Sequence, residues 1–383
     1  MHIIPIASGK GGVGKSLFAA NLAIALGQAG KSVVLADLDL GGSNLHLILG
    51  IRKSLSGVGI FLNESRPNLG DYIIPTQYEN LSFLPGDSEI PGIANLTAAQ
   101  KRKLINQLGN LAADYLILDL GAGSNYNTID FFLLSGAGTI VTTPTPTALV
   151  NAYVFLKNSM FRILNSSCKK GSPADQYLRS LEKNSASLQR VYMMELLEKI
   201  KEIDPQSYQT HMQTAGRFHP RLIMNMLEDP KDSERAGKLR RSCREYLGFD
   251  LEHLGIMYRD DLQDTALSSG LPIIIYKPKA VLSQAVYRIA DKLLQFELED
   301  DQQGLINSQE TSDESFETAN LEAQIDFQTR IEYLEDLLHT GALSTGDLLE
   351  TVKNQQLEIN QLKKENMLYK SKLVKAAHQG YKL

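Results

Sequence analysis

The chain opens on a short apolar run, HIIPIAS at residues 2–8, and then keeps a two-part rhythm. Runs rich in β-branched and aliphatic residues recur at SVVLADLDL (32–40), LSFLPG (81–86), DYLILDL (114–120), GTIVTTP (138–144), PRLIMNML (220–227) and LGIMYR (254–259). Longer stretches with helical spacing fall between them. The first runs from Lys15 to about Gln28 and is stopped by Gly30; the last is AVLSQAVYRIADKLLQF at 280–296. Near-continuous apolar runs suit strands covered on both faces, as in a parallel sheet flanked by helices. The pattern therefore predicts an α/β fold with a doubly wound, mostly parallel sheet over residues 1–296.

Two regions break the rhythm. Residues from about 160 to 216, including SLQRVYMMELLEKIKEI, are polar and helix-favouring and too long for an ordinary loop, so they read as a helical insertion. Residues 297–318, ELEDDQQGLINSQETSDESFET, are acidic and polar without lysine or arginine, and that composition reads as a linker. Beyond it, residues 319–383 read as a helical tail. Phe327, Ile331, Leu334 and Leu338 start an apolar seam that resumes after HTGALSTG through Leu348, Val352, Ile359, Leu362, Tyr369 and Leu373, with Gln355 and Asn366 at seam positions. An interrupted coiled coil and a helical hairpin folded back on the body both fit this spacing. The last stretch, LKKENMLYKSKLVKAAHQGYKL (362–383), interleaves lysines with apolar residues. It reads either as the solvated end of a coiled coil or as a contact for an anionic bilayer surface.

Composition narrows the function classes. The 383-residue chain is 43% hydrophobic and 22% charged, ordinary for a globular protein, with a formal net charge of −5. That charge argues against a chain built to coat nucleic acid, although KLRRSCR (238–244) is locally basic. The two cysteines, Cys168 and Cys243, are far apart, which excludes a disulfide framework and a four-cysteine metal site and fits a reducing cytoplasm. No signal-peptide pattern and no long apolar span is expected from the sequence.

The chemistry concentrates between the first strand and the first helix. Gly9, Gly14, Lys15 and Ser16 match G-x-x-x-x-G-K-[ST]. In such a loop the backbone N–H groups of Gly9, Lys10, Gly11, Gly12, Val13 and Gly14 turn inward around phosphate oxygens. Lys15 reaches the β- and γ-phosphates, and the Ser16 hydroxyl joins a Mg²⁺ shell. Lys10 is a second lysine that phosphate binding alone does not require.

With that second lysine, SGKGGVGKS resembles the deviant Walker A motif of the MinD/ParA family of ATPases, and the match is extended by DLDLGGSNLH (37–46), DYLILDLGAG (114–123) and RLIMNMLED (221–229). The resemblance covers about residues 1–158 and 216–296 and implies a P-loop NTPase fold, with ATP and Mg²⁺ as cofactors. It implies that Lys10 contacts the phosphates bound by a second subunit, that Asp39 positions the attacking water and supports the metal shell, and that Asp37 holds the strand end. Asp119 would bind Mg²⁺, Gly123 or Gly121 would read the γ-phosphate, and Asn225 would meet the adenine edge. Where the family often has P-x-D, this chain has Tyr258-Arg259-Asp260, so backbone contact with the base is expected there.

The resemblance thus implies a homodimer that forms with ATP, hydrolyses it to ADP and phosphate, and responds to a protein partner or activator. The MinD/FlhG-like branch fits best. Its job would be to position a division site, flagellum or polar machinery from the cytoplasm, with peripheral contact at the inner face of the cell membrane. Two other classes stay open: a ParA-type DNA-partitioning ATPase, and an ATP-binding scaffold with weak hydrolysis.

Overall fold

A computed structural model describes residues 1–51, 56–64, 68–86, 95–182, 192–300 and 308–339, together with scattered helical positions between 346 and 369. The chain divides into two units, residues 1–326 and 327–383.

The first unit is built on one eight-stranded sheet in the order β3-β4-β2-β5-β1-β6-β7-β8. The strands are β1 (His2–Ala7), β2 (Val33–Leu38), β3 (Ile74–Pro75), β4 (Leu81–Leu84), β5 (Tyr115–Leu120), β6 (Thr139–Thr142), β7 (Arg221–Leu227) and β8 (Glu252–Tyr258). All neighbours pair in parallel except β3, a two-residue antiparallel addition at one edge. The doubly wound sheet expected from the apolar runs is present. Only β3 escapes the hydropathy pattern, because two residues are too few to show a period.

Helix α1 (Lys15–Gln28) follows β1 directly. Phe18, Leu22, Ile24 and Leu26 and the alanines between them are all buried. A helix apolar on every side belongs inside a layer rather than on a surface. It packs under Ile4, Ile6, Leu35 and Ile117 together with Ala285, Val286, Ile289 and Leu293 of the closing helix. Elsewhere in the core, rings stack edge to face: Phe132 on Phe155 at 4.9 Å between centroids, and Phe218 on Phe249 at 5.1 Å.

The remaining long helices are α2 (Ala98–Leu108), α3 (Tyr126–Phe132), α4 (Pro146–Ser167), α5 (Pro173–Glu182), α6 (Met193–Ile203), α7 (Pro205–Ala215), α8 (Glu234–Leu247), α9 (Val281–Asp300) and α10 (Ser308–His339). The stretch read as a helical insertion holds the end of α4 and then α5, α6 and α7. Leu196, Leu197 and Ile200 of α6 are buried, as is His211 of α7.

Within the acidic stretch 297–318, residues 308–318 are helical rather than the linker that composition suggests. Helix α9 continues to Asp300, and α10 already begins at Ser308. The reason lies in a buried stripe: Ser312, Phe316, Ala319, Ala323 and Asp326 recur at steps of four, three, four and three. Only one of the five is a large apolar residue, so hydropathy does not reveal the stripe.

This half of α10 covers the free edge of β8. Ser315 Oγ accepts from the His253 backbone N–H at 3.0 Å, Ser312 Oγ donates to the Leu251 carbonyl at 2.6 Å, and Tyr258 Oη donates to the Ala323 carbonyl at 2.7 Å. An uncovered edge strand would offer those groups to another chain. The acidic residues meet cations of the body: Asp313 with Arg240 at 2.6 Å, Glu322 with Lys292 at 2.7 Å and Asp326 with Arg288 at 2.6 Å. Arg240 also stacks over Phe316 at 4.8 Å, and His253 meets the same ring edge to face at 5.0 Å.

The coiled-coil seam falls largely outside the described residues. Those outside include the side chains of Leu334 and Leu338 and residues Leu348, Val352, Gln355, Leu362, Asn366 and Leu373. Most of the lysine-rich segment 362–383 lies outside them too.

The packing predicts that Phe316→Ala lowers unfolding free energy by about 3 kcal/mol, the range for truncating a buried aromatic residue. Urea unfolding of the full chain measures it; no change would show that this segment is a detachable linker after all.

Candidate active site

Strand order assembles the site. β2, β5 and β1 lie side by side, and Asp37 of β2 is in register with Asp119 of β5, which is in register with Ile6 of β1. Alternation along β5 puts Asp119 on the same face as Tyr115 and Ile117, the face that packs under α1. Three strand ends remote in sequence therefore meet at the N-terminus of α1, in the crevice where open α/β sheets bind ligands.

The loop joining β1 to α1 is shaped by its glycines. Gly9 lies against α4: a methyl group there would sit 2.2 Å from the Asn151 carbonyl carbon and oxygen. Gly14 caps α1 with φ of 83°, and a methyl group on it would lie 2.2 Å from Asn225 Nδ2. Gly12 also has positive φ, 77°. Only glycine accepts both the left-handed backbone and the close approach. The loop delivers Lys15, buried, to Asp119, whose Oδ1 lies 2.5 Å from Nζ; Nζ is also 3.3 Å from Ser16 Oγ.

Asp37 anchors the next strand end. Its Oδ2 accepts from Ser43 Oγ at 2.6 Å and from the Leu45 N–H at 3.3 Å, while Oδ1 accepts from the Asp39 N–H at 3.1 Å. That matches the holding role inferred for it. Burial, and then the Asp119 carboxylate beside it, push the Asp37 carboxyl up to about 7. Burial also raises Asp119, against the pull of the Lys15 ammonium. Asp39 is half-buried and overlies the loop after β5, where a methyl group on Gly121 would come within 3.2 Å of its Oδ1.

The site residues inferred from sequence divide into three groups. Lys15, Ser16, Asp39 and Asp119 converge at the head of α1. Lys10 stands apart: it is exposed on the rim of an open cavity of about 450 Å³, with Thr143, Thr145 and Arg235 across from it. No ion pair engages it among the described residues. Gly123 and Asn225 are already occupied. The Gly123 N–H donates to the Ser8 carbonyl at 3.0 Å, so reading a phosphate would require that bond to open.

Asn225 Nδ2 donates to the Val13 carbonyl at 2.9 Å, and its Oδ1 accepts from the Met226 N–H at 2.8 Å. A shift in register between β7 and β8 at Met224–Leu227, with Met226 at φ of 58°, turns Asn225 toward the loop. Bulges beside sites commonly re-aim a side chain in this way. The register shift leaves no mark in the hydropathy pattern. Nor does the contact of Gly9 with Asn151, which joins segments more than a hundred residues apart.

The oxygen set suits a small hard cation. Mg²⁺ takes one or two carboxylates and completes its shell with waters and substrate phosphates. Asp119, Asp39 and the Ser16 hydroxyl provide such a set, and the Lys15 ammonium now balances Asp119 in the place of a metal cation.

Together, the glycine loop, its lysine and the two strand-end carboxylates define a P-loop nucleotide site. Comparison with known proteins agrees. The family model ParA, described as NUBPL iron-transfer P-loop NTPase, matches residues 1–168. The flagellum site-determining protein YlxH of Helicobacter pylori is 32% identical over 255 residues, spanning 60% of this chain and 85% of that protein. The septum site-determining protein MinD of the same organism is 34% identical over 38% of this chain, and the antiactivator FleN of Pseudomonas aeruginosa is 28% identical over 41%. These two alignments span just over half of the relatives' own length, 54% and 56%. MinD of Pyrococcus horikoshii, solved with Mg-ADP, shares the fold at a TM-score of 0.52 and 22% identity, covering 77% of this chain and 97% of that one. The chain belongs to the ParA/MinD family of P-loop NTPases.

The raised Asp37 carboxyl has a sign that can be measured. The folded protein keeps this proton from about pH 4, where an ordinary aspartate loses it, up to about 7. The associated stability is present below that window and is lost as pH rises through it, with a slope of at most about 1.4 kcal/mol per pH unit. The nucleotide-free Asp37→Asn variant is expected to lose less stability than wild type between these limits. Urea unfolding at pH 4.5 and 7 measures the difference, and equal slopes would exclude Asp37 as its source.

Proposed function

We propose that the chain is an ATP-driven dimerising switch that hydrolyses ATP to ADP and phosphate and positions a cellular structure. The observation that carries this reading is the division of labour between two lysines. Lys15 is buried among the groups that would hold phosphate and metal, whereas Lys10 is exposed on the rim with no ion-pair partner among the described residues. A cation so placed can reach a nucleotide bound by a facing copy. It would then add positive charge to the transition state only on dimerisation, as an arginine finger supplied in trans does.

Lys15 would hold the β- and γ-phosphates, and Asp119, Ser16 and Asp39 would hold Mg²⁺. Bound Mg²⁺ would neutralise charge on the phosphate oxygens. The half-buried Asp39 carboxylate, beside the loop after β5, orients the attacking water. The Gly123 N–H is freed from the Ser8 carbonyl when the γ-phosphate arrives, which makes that loop the element whose position reports the nucleotide state.

The job is supported by relatives. YlxH is a flagellum site-determining protein and MinD a septum site-determining protein. The Aquifex aeolicus MinD structure is of a MinC:MinD cell division complex, at 18% identity and a TM-score of 0.52. A flagellar or division site is thus the structure positioned, and a protein partner reads the dimer. No helix among the described residues is long and apolar enough to cross a membrane.

Light scattering with phosphate release on the full chain tests this reading. Asp39→Ala should still form an ATP-dependent dimer while its phosphate release falls by about a hundredfold or more. Lys10→Ala should bind nucleotide but release phosphate at least about tenfold more slowly. An Asp39→Ala protein with no ATP-dependent dimer, alongside a Lys10→Ala protein with normal turnover, would sink the proposal.

A further inference from the structure

A second cavity, of about 340 Å³, adjoins the phosphate loop. Gly12, Gly14 and Asn225 line its mouth, and Phe18, Met257 and Val286 are among its apolar walls. Its volume is that of a small-molecule pocket, and Arg259, Asp260, Asp261 and Asp264 line it together with three side-chain amides.

One of those polar groups is Gln263, in the short helix Leu262–Ser268. Its side chain is 8% exposed, and neither Oε1 nor Nε2 has a hydrogen-bond partner among the described residues. A buried amide with both atoms unsatisfied is rare and asks for an explanation. The other two amides lining this cavity are committed. Asn21 donates to the Leu17 carbonyl at 2.7 Å and accepts from the Ile274 N–H at 3.1 Å. Asn225 is held on Val13 and Met226, as described above. Gln263 is the amide left for a ligand.

An amide offers one donor and one acceptor side by side. Adenine presents the complement, its N6 amino donor beside a ring-nitrogen acceptor, and is read this way by Gln and Asn elsewhere. Along the Hoogsteen edge guanine presents two acceptors, O6 and N7, so an amide that reads adenine at N6 and N7 would keep one atom unpaired against it. We propose that Gln263 is the residue that selects adenine over guanine at this nucleotide site. Asn225, the residue matched by sequence to the adenine edge, lines the same cavity and is held by the Val13 carbonyl and the Met226 N–H. The inference rests on the P-loop reading: the loop holds the phosphates and so directs the base toward the adjoining cavity.

Calorimetry of the full chain with Mg²⁺ and ADP, GDP or inosine diphosphate tests it, on wild type, Gln263→Leu and Lys15→Ala. Wild type should favour ADP over GDP and over inosine diphosphate by at least about tenfold. Gln263→Leu should reduce both preferences at least tenfold, mainly by weakening ADP, while its nucleotide-free melting temperature stays at or above that of wild type, since an unsatisfied amide is removed. Lys15→Ala should weaken all three ligands together and leave the ratios alone. An unchanged ADP:GDP ratio in Gln263→Leu overturns the role of Gln263 while leaving the P-loop reading intact. If that variant does not fold, wild type decides: equal binding of ADP and inosine diphosphate overturns the role as well. Wild type binding none of the three would overturn the P-loop reading itself.

Discussion

The arrangement of this molecule turns on one buried ion pair, Lys15 with Asp119, at the point where β1, β5 and β2 end against α1. A lone charge at this depth would be costly, and each partner removes that cost for the other. The pair also fixes geometry: it ties the N-terminus of α1 to the end of β5. Asp37 sits beside Asp119 in register, and burial first, then the neighbouring carboxylate, push it toward its neutral form.

The same economy of charge appears at the far edge of the sheet. The acidic beginning of α10 has no lysine or arginine of its own up to residue 318 because the body supplies them: Arg240, Arg288 and Lys292 face Asp313, Asp326 and Glu322. Serine hydroxyls complete the match by bonding the free backbone of β8. An acidic segment that looks unstructured by composition is thus half of an electrostatic interface, and the first compact unit extends to residue 326.

Two cavities adjoin one glycine loop and share Gly12, Met226 and Arg259 in their walls, yet their characters differ. One is open and carries Lys10 and Arg235; the other has apolar walls and holds the unpaired Gln263 amide. The first suits charge exchange with another subunit, the second suits recognition of a flat heterocycle. The loop is hemmed in by Asn151 behind Gly9 and by Asn225 beside Gly14, where an added methyl group would lie 2.2 Å away in each case.

Sequence by itself determined the sheet class, the helix after the first strand and the phosphate loop. These are local features, written in hydropathy period and in residue types that only one backbone conformation admits. Gly9, Gly14 and Lys15 could be read directly because loop chemistry depends on near neighbours. Tertiary structure alone decided which remote groups meet. Strand order placed Asp37 beside Asp119, a register shift turned Asn225 onto Val13, and the fold of residues 262–274 left Gln263 without a partner. The docking of α10 was hidden for a related reason: its buried stripe is made of serine, alanine and aspartate around a single phenylalanine. Such residues show their burial only once the complementary surface, the backbone and cations beside β8, has formed.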